Sequence, residues 1–320
     1  MKRSAVKLIR AGLLMFIFSI AITGFFEASG VESEDLVRLT ILHTNDFHGF
    51  DYHRLARQAT IIKSIRAELE KTAERHVGVL QLEAGDIFAR GPYARIYFGK
   101  IEFAVLNLLN YHAITLGNNE FKATADIDAQ NHLLARVSQA KPPVLCANVL
   151  NGQNGKYLPG VVPYTIKELN GLKVGIFGVT TLKIENYLQI KGLKVEDPIV
   201  TAQKIYPVLS AQADIVIALT HTGYSQDKVL AKTIPGLTAI VGGDSHKALR
   251  RGSAINNIPI VQAGCNGKYL GRLDLYLECQ NGRWMLKKYE ACLIPINKKI
   301  PEDPEILELI NSFFLEKSAA

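Results

Sequence analysis

Several things are scarce in this chain, and each scarcity excludes something. Its 320 residues include four cysteines, none in a C-x-x-C spacing, so a zinc clip of that type is ruled out. Beyond residue 30 no apolar run is long enough to cross a bilayer. No tract of basic residues is interleaved with aromatics, so nothing speaks for nucleic acid as a partner. Internal repeats and low-complexity tracts are also lacking, which removes solenoids and linker-like arrays. What is there is ordinary globular material, 48% hydrophobic and 21% charged, enough for one large domain or two small ones.

The single long apolar stretch, Ala11 to Phe26, follows Lys2, Arg3, Lys7 and Arg10 and precedes Ala28-Ser29-Gly30. A basic start, a short apolar segment and small residues at a cleavage site make residues 1–30 an export signal, and the stretch falls short of the about 20 residues of a spanning helix. No cysteine stands at its end to carry a lipid. The expected mature domain is 31–320, periplasmic or secreted, with no stable membrane span. Four positive charges leave with the signal, so the formal +7 overstates the basicity of the remainder. In an oxidising compartment Cys146, Cys265, Cys279 and Cys292 could pair in three ways. A two-residue turn at Asn281-Gly282 would set Trp284, not Cys292, opposite Cys279; a bridge and buried free thiols both stay open.

Beyond residue 35 strand and helix signals alternate. Strands are expected at 36–42, 77–82, 113–116, 144–147, 174–179, 215–219 and 239–241, and helices at about 55–73, 95–109, 125–140, 226–231 and 304–315. Asn170-Gly171 and Asn281-Gly282 mark hairpins that interrupt the alternation. Such a mixture suggests two packed sheets covered by helices.

Four segments fall where strands should run out into loops: Asp46-Phe47-His48, Gly85-Asp86, Gly117-Asn118-Asn119-Glu120 and Gly243-Asp244-Ser245-His246, with His221 between the last two. Singly, each reads as turn chemistry, a strand-end histidine or an anion nest. Together they supply a mixed nitrogen and oxygen ligand set suited to two borderline or hard divalent cations, and loops beyond the carboxyl ends of strands are where such residues converge.

The ordered series D-x-H, G-D, G-N, isolated H and G-x-x-H, with TILHTNDFHG at 40–49, IVIALTHTG at 215–223 and VQAGCNGKYLGRLDL at 261–275, resembles the calcineurin-like metallophosphoesterases, specifically their 5′-nucleotidase branch. The resemblance implies an α/β fold, a four-layer α-β-β-α sandwich, and a dinuclear site of manganese, zinc, iron or magnesium. It implies that Asp46, His48 and His246 hold one metal, Asn118, His221 and Asp244 the other, and that Asp86 bridges them. The reaction it implies is hydrolysis of a small phosphoester.

Three departures qualify that expectation. The family's acid histidine is Asn119 here, and the aspartate that orients it is Lys122, so the acid pair is replaced together. Position 244, usually histidine, is an aspartate that favours harder cations. The C-terminal domain that binds the nucleobase is not represented in this chain, and a partner chain could stand in for it. Two alternatives follow: a noncatalytic metal-containing protein that binds phosphate or another anion, or a sulfur-ester hydrolase of the same architecture.

Overall fold

Long apolar runs in this chain still alternate, because both faces of each central strand are covered and each face meets a different layer. In the strand Val37–Thr44, Leu39 and Ile41 point one way and Leu42 the other; in Ile215–His221, Ile217 and Leu219 oppose Val216 and Ala218. These sets belong to three separate apolar cores. One lies between two sheets, and the other two lie between a sheet and its helices. The architecture is therefore helix, sheet, sheet, helix, as expected.

The computed structural model describes residues 36–71, 75–88, 90–122, 127–186 and 192–318. The expected export signal, 1–30, lies outside them. No helix among the described residues is long and apolar enough to cross a membrane.

The first sheet has seven strands in the order Arg283–Pro295, Tyr269–Gln280, Val37–Thr44, His76–Glu83, Ala113–Thr115, Val144–Leu145 and Val161–Val162. It is parallel from Val37–Thr44 onward and antiparallel at the edge made by the last two strands of the chain. The second sheet has six, in the order Ser253–Ile255, Ile258–Val261, Ala239–Gly242, Ile215–His221, Leu172–Thr180 and Tyr164–Leu169, with a parallel centre. Both Asn-Gly hairpins form. Tyr164–Leu169 pairs antiparallel with Leu172–Thr180, and Cys279 lies opposite Trp284, as a two-residue turn requires. All four cysteines are free.

The helix Tyr52–Lys71 covers the seven-stranded sheet with Leu55, Ala59, Ile62, Ile65 and Leu69, one face at helical spacing. One expected helix is broken. The segment 95–109 becomes Ala94–Tyr97 and Lys100–Leu108, because Phe98 and Gly99 take φ of 44° and 80°. A Cβ on Gly99 would stand 2.8 Å from the ring of Phe88, so the turn exists to let the backbone pass that ring.

Candidate metal centre

The loops leaving the carboxyl ends of the central strands carry the candidate ligands, and they do so in an unusual backbone state. Asp46, His48, Asp86, Asp244 and His246 have φ of 53°, 62°, 57°, 71° and 54°. Left-handed backbone at a residue other than glycine is uncommon and costs about 1–3 kcal/mol, so five cases in the loops that meet at this site must be imposed by surrounding bonds.

Those bonds can be named. The loop after Val37–Thr44 lies along the loop after His76–Glu83 through Asp46 N–H to Gly85 O, 2.9 Å, and His48 N–H to Asp86 O, 2.9 Å. Buried Glu120 accepts the backbone N–H of Asp86 (2.9 Å), Ile87 (2.8 Å), Phe88 (3.3 Å) and Gly117 (2.7 Å), and so ties the Asp86 loop to the loop after Ala113–Thr115. A Cβ on Gly117 would collide with Asp86 Oδ1, which is why that approach needs glycine. Asn45 donates to Asp46 Oδ2 and to Gly264 O, 2.7 Å each. On the other sheet, fully buried Asp227 accepts from Thr220, Thr222 and Gln262, while Gln262 accepts from the Ser245 hydroxyl at 2.6 Å. This network holds the His246 loop beside His221.

Two ligand groups converge, Asp46 with His48 and His246, and Asp46 with Asp86 and His221. His48 Nε2 and His246 Nε2 are 3.1 Å apart, and His246 Nε2 is 3.3 Å from Asp46 Oδ1. His221 Nε2 is 3.3 Å from Asp86 Oδ1 and 4.0 Å from Asp46 Oδ1. Two atoms each about 2.1 Å from one metal ion lie about 3–3.5 Å apart, so most of these spacings suit shared coordination. Asp46 Oδ1 and His221 Nε2 are buried without a hydrogen-bond partner among the described residues. His221 Nδ1 donates to Ala84 O at 2.7 Å, which leaves Nε2 as the ligating nitrogen. The donors thus fit a metal. Asp46 is common to both groups, and Asp86, to which the family resemblance assigns the bridge, stands 3.3 Å from His221 Nε2 and 3.9 Å from His48 Nδ1. Ownership is divided: Asp46, His48, Asp86 and Asn118 follow strands of the seven-stranded sheet, and His221, Asp244 and His246 follow strands of the six-stranded one.

The electrostatics agree with a site built for positive charge. Burial opposes the ionised form of both members of the Asp86–His221 pair. The pair nevertheless holds Asp86 down at about 2 and His221 well above the usual imidazole range, helped by Asp46. His246 is raised by the Asp46 carboxylate beside it, and His48 is pushed down to about 4 by burial.

The remaining expected residues sit differently. Asn118 is buried at the start of the helix Asn118–Lys122. Asp244 donates its N–H to Asp46 Oδ2 at 3.1 Å, but its carboxylate is taken by Lys183, 2.7 Å from each oxygen, and it joins neither ligand group. Asn119 turns onto Asp86: its N–H donates to Oδ1 at 2.7 Å and its amide to Oδ2 at 2.5 Å. Lys122 is exposed at the helix end. Sequence reasoning missed Lys183 altogether and had no role for Glu120. Only the position of Lys183 just past a strand end could have flagged it.

The calcineurin-like phosphoesterase model matches residues 39–248. A 5′-nucleotidase from Vibrio cholerae is 31% identical over 88% of this chain and 59% of its own length. A trifunctional nucleotide phosphoesterase from Bacillus subtilis is 28% identical over 86% of this chain, which spans 20% of that protein. Among solved structures, a 5′-nucleotidase precursor from Thermus thermophilus superposes with a TM-score of 0.72 at 26% identity, covering 88% of this chain and 59% of that one.

Proposed function

The chain belongs to the calcineurin-like phosphoesterases, and from that premise we propose that it is an exported hydrolase of small phosphoesters, 5′-nucleotidase-like, working with two divalent cations. The observation that carries this reading is the convergence of two carboxylates and three imidazoles around the unpartnered Asp46 Oδ1, at spacings suited to metal. Asp46, His48 and His246 would hold one cation, and Asp86, His221, Asn118 and, once free of Lys183, Asp244 the other. When bound, the cations supply Lewis acidity to a phosphoryl group and lower the pKa of an attacking water.

This chain's own residues do the rest. Glu120, Asn45 and the Asp227–Gln262 network hold the donors still, so little reorganisation is needed at the moment of reaction. Arg90, whose charge depresses the basicity of both His48 and His246, places positive charge beside them, which favours an anionic substrate. Asn119 stands where a proton donor is expected, and an amide cannot serve as one, so esters with good leaving groups should react best. Export rests on residues 1–30, and the likeness to nucleotidases makes a nucleotide the first phosphomonoester to try.

The test is metal analysis of the purified protein with a phosphoester screen in manganese, magnesium and zinc, and Asp46→Asn as control. Bound metal with hydrolysis that the variant loses would support the reading. Bound metal with no turnover would sink it and leave a metal-containing anion-binding protein, a reading favoured by the Asn119 amide being spent on Asp86.

A further inference from the structure

The loop after Leu172–Thr180 reaches the same edge of the six-stranded sheet as the loops carrying His221 and His246. It ends in a 3₁₀ turn, Leu182–Asn186, that packs against the helix Asn118–Lys122. From this turn Lys183 reaches both carboxylate oxygens of Asp244, 2.7 Å from each. The partners are unequally held. The side chain of Lys183 is 58% exposed and that of Asp244 is 8% exposed. Asp244 is fixed by its left-handed backbone and by its N–H bond to Asp46 Oδ2, whereas Lys183 ends a flexible four-carbon stem free to swing through solvent. Beside the carboxylate, a Cβ on Gly223 would stand 2.9 Å from Asp244 Oδ2, so the strand-end glycine two residues past His221 keeps that flank open. The adjoining Gly243, where a Cβ would stand 2.8 Å from His221 Nδ1 and 3.2 Å from Asp46 Oδ2, places Asp244 next to the second ligand group.

A carboxylate at the rim of a cation site, already neutralised by an internal ammonium, cannot ligate a metal until that ammonium leaves. We propose that Lys183 is a placeholder cation, holding Asp244 until a divalent ion takes the carboxylate, and that the released ammonium then binds the phosphoryl oxygens of the substrate. This deepens the reading of a two-cation phosphoester site and rests on it. In the exchange a divalent ion takes the place of a monovalent ammonium on the carboxylate and the displaced ammonium stays within reach of the centre, so the local charge becomes more positive by two, which favours an anion. Lys183 would therefore weaken the second metal and strengthen the anion that follows it. These opposite effects separate this role from that of a mere structural pair.

The experiment is manganese titration of the whole protein and of Lys183→Met by calorimetry, with metal content checked by mass spectrometry, followed by inorganic phosphate titration of the manganese-loaded proteins. In Lys183→Met the weaker manganese constant should tighten at least ~5-fold, the worth of a surface ion pair of about 1 kcal/mol, or a second ion should appear where the wild type takes one. Phosphate should then bind ~5-fold or more weakly, and Lys183→Arg should restore both wild-type values. An unchanged manganese constant with an unchanged ion count, or unchanged phosphate binding, overturns the exchange while leaving the metal centre intact. No manganese bound by any of the proteins overturns the centre and the exchange together.

Discussion

Replacing Glu120 with glutamine changes one oxygen to NH2 and leaves the volume alone. Oε2 accepts from Asp86 N and Gly117 N, and Oε1 from Ile87 N and Phe88 N, so in either placement of the amide two backbone donors would face another donor. A buried donor left unsatisfied costs about 1–3 kcal/mol. The amide would turn its NH2 toward the weaker side, where the Phe88 contact is 3.3 Å, so a total near 2–4 kcal/mol is expected. That is a roughly 30- to 1,000-fold fall in the folded-to-unfolded ratio, out of a typical stability of about 5–15 kcal/mol. Urea unfolding followed by the fluorescence of the single tryptophan, Trp284, measures it. The comparison belongs at pH 8.5, because burial and the charge of Asp86 push Glu120 up to about 7. Because Glu120 holds a proton in the folded state that the unfolded chain has lost, wild-type stability rises toward pH 5.5 while the variant's does not, so the gap should widen there. Manganese affinity should drop in parallel, since the Asp86 loop loses its tether. A loss under 1 kcal/mol with unchanged manganese binding would refute the idea that Glu120 holds the site together.

Chelating metal from the manganese-saturated protein should remove about 2.7 kcal/mol per site when free metal stood at 100 times Kd; an unmoved calorimetric Tm would contradict a structural contribution from the cations. Asn119→His combined with Lys122→Asp should raise hydrolysis of an alkyl phosphate by about 10² to 10⁴ and of an aryl phosphate far less; equal gains, or none, would show that a proton donor is not what the site lacks. Burial lifts Glu83 from 4.5 to about 8 despite its bond from Thr44, so the folded state holds a proton that the unfolded chain has lost. Stability should therefore fall as pH rises from 4.5 to about 8, with a slope of up to about 1.4 kcal/mol per unit, and Glu83→Gln should flatten it. A parallel pH profile in that variant would argue against the shift.

The layered fold was legible because period-two alternation, helical spacing and Asn-Gly turns are local. The Asn281-Gly282 turn alone set the pairing of Cys279 with Trp284. The ligand segments were legible for a related reason: aspartate and histidine just past strand ends are conspicuous in a chain read one element at a time. What local reading could not reach were partnerships decided by packing. Nothing near Lys183 announces that it meets a carboxylate 61 positions away. Glu120 looked like one more acidic residue of its motif until the four backbone donors around it came into view. The break at Phe98-Gly99 depends on the ring of Phe88, and Asn256-Asn257, with φ of 53° and 63°, turns an edge hairpin without the glycine that would have signalled it.

Because the candidate ligands are owned by both sheets, a bound cation would pin the two sheets together at the rim where their strands end. Opening the gap between the sheets and letting go of the metal then become a single equilibrium, and such coupling is reciprocal. A cavity made far from the centre, by Leu172→Ala or Leu277→Ala in the core between the sheets, should register as weaker metal binding, and metal should slow amide exchange in both sheets at once. The core that holds the halves together and the candidate metal centre would then draw on the same free energy.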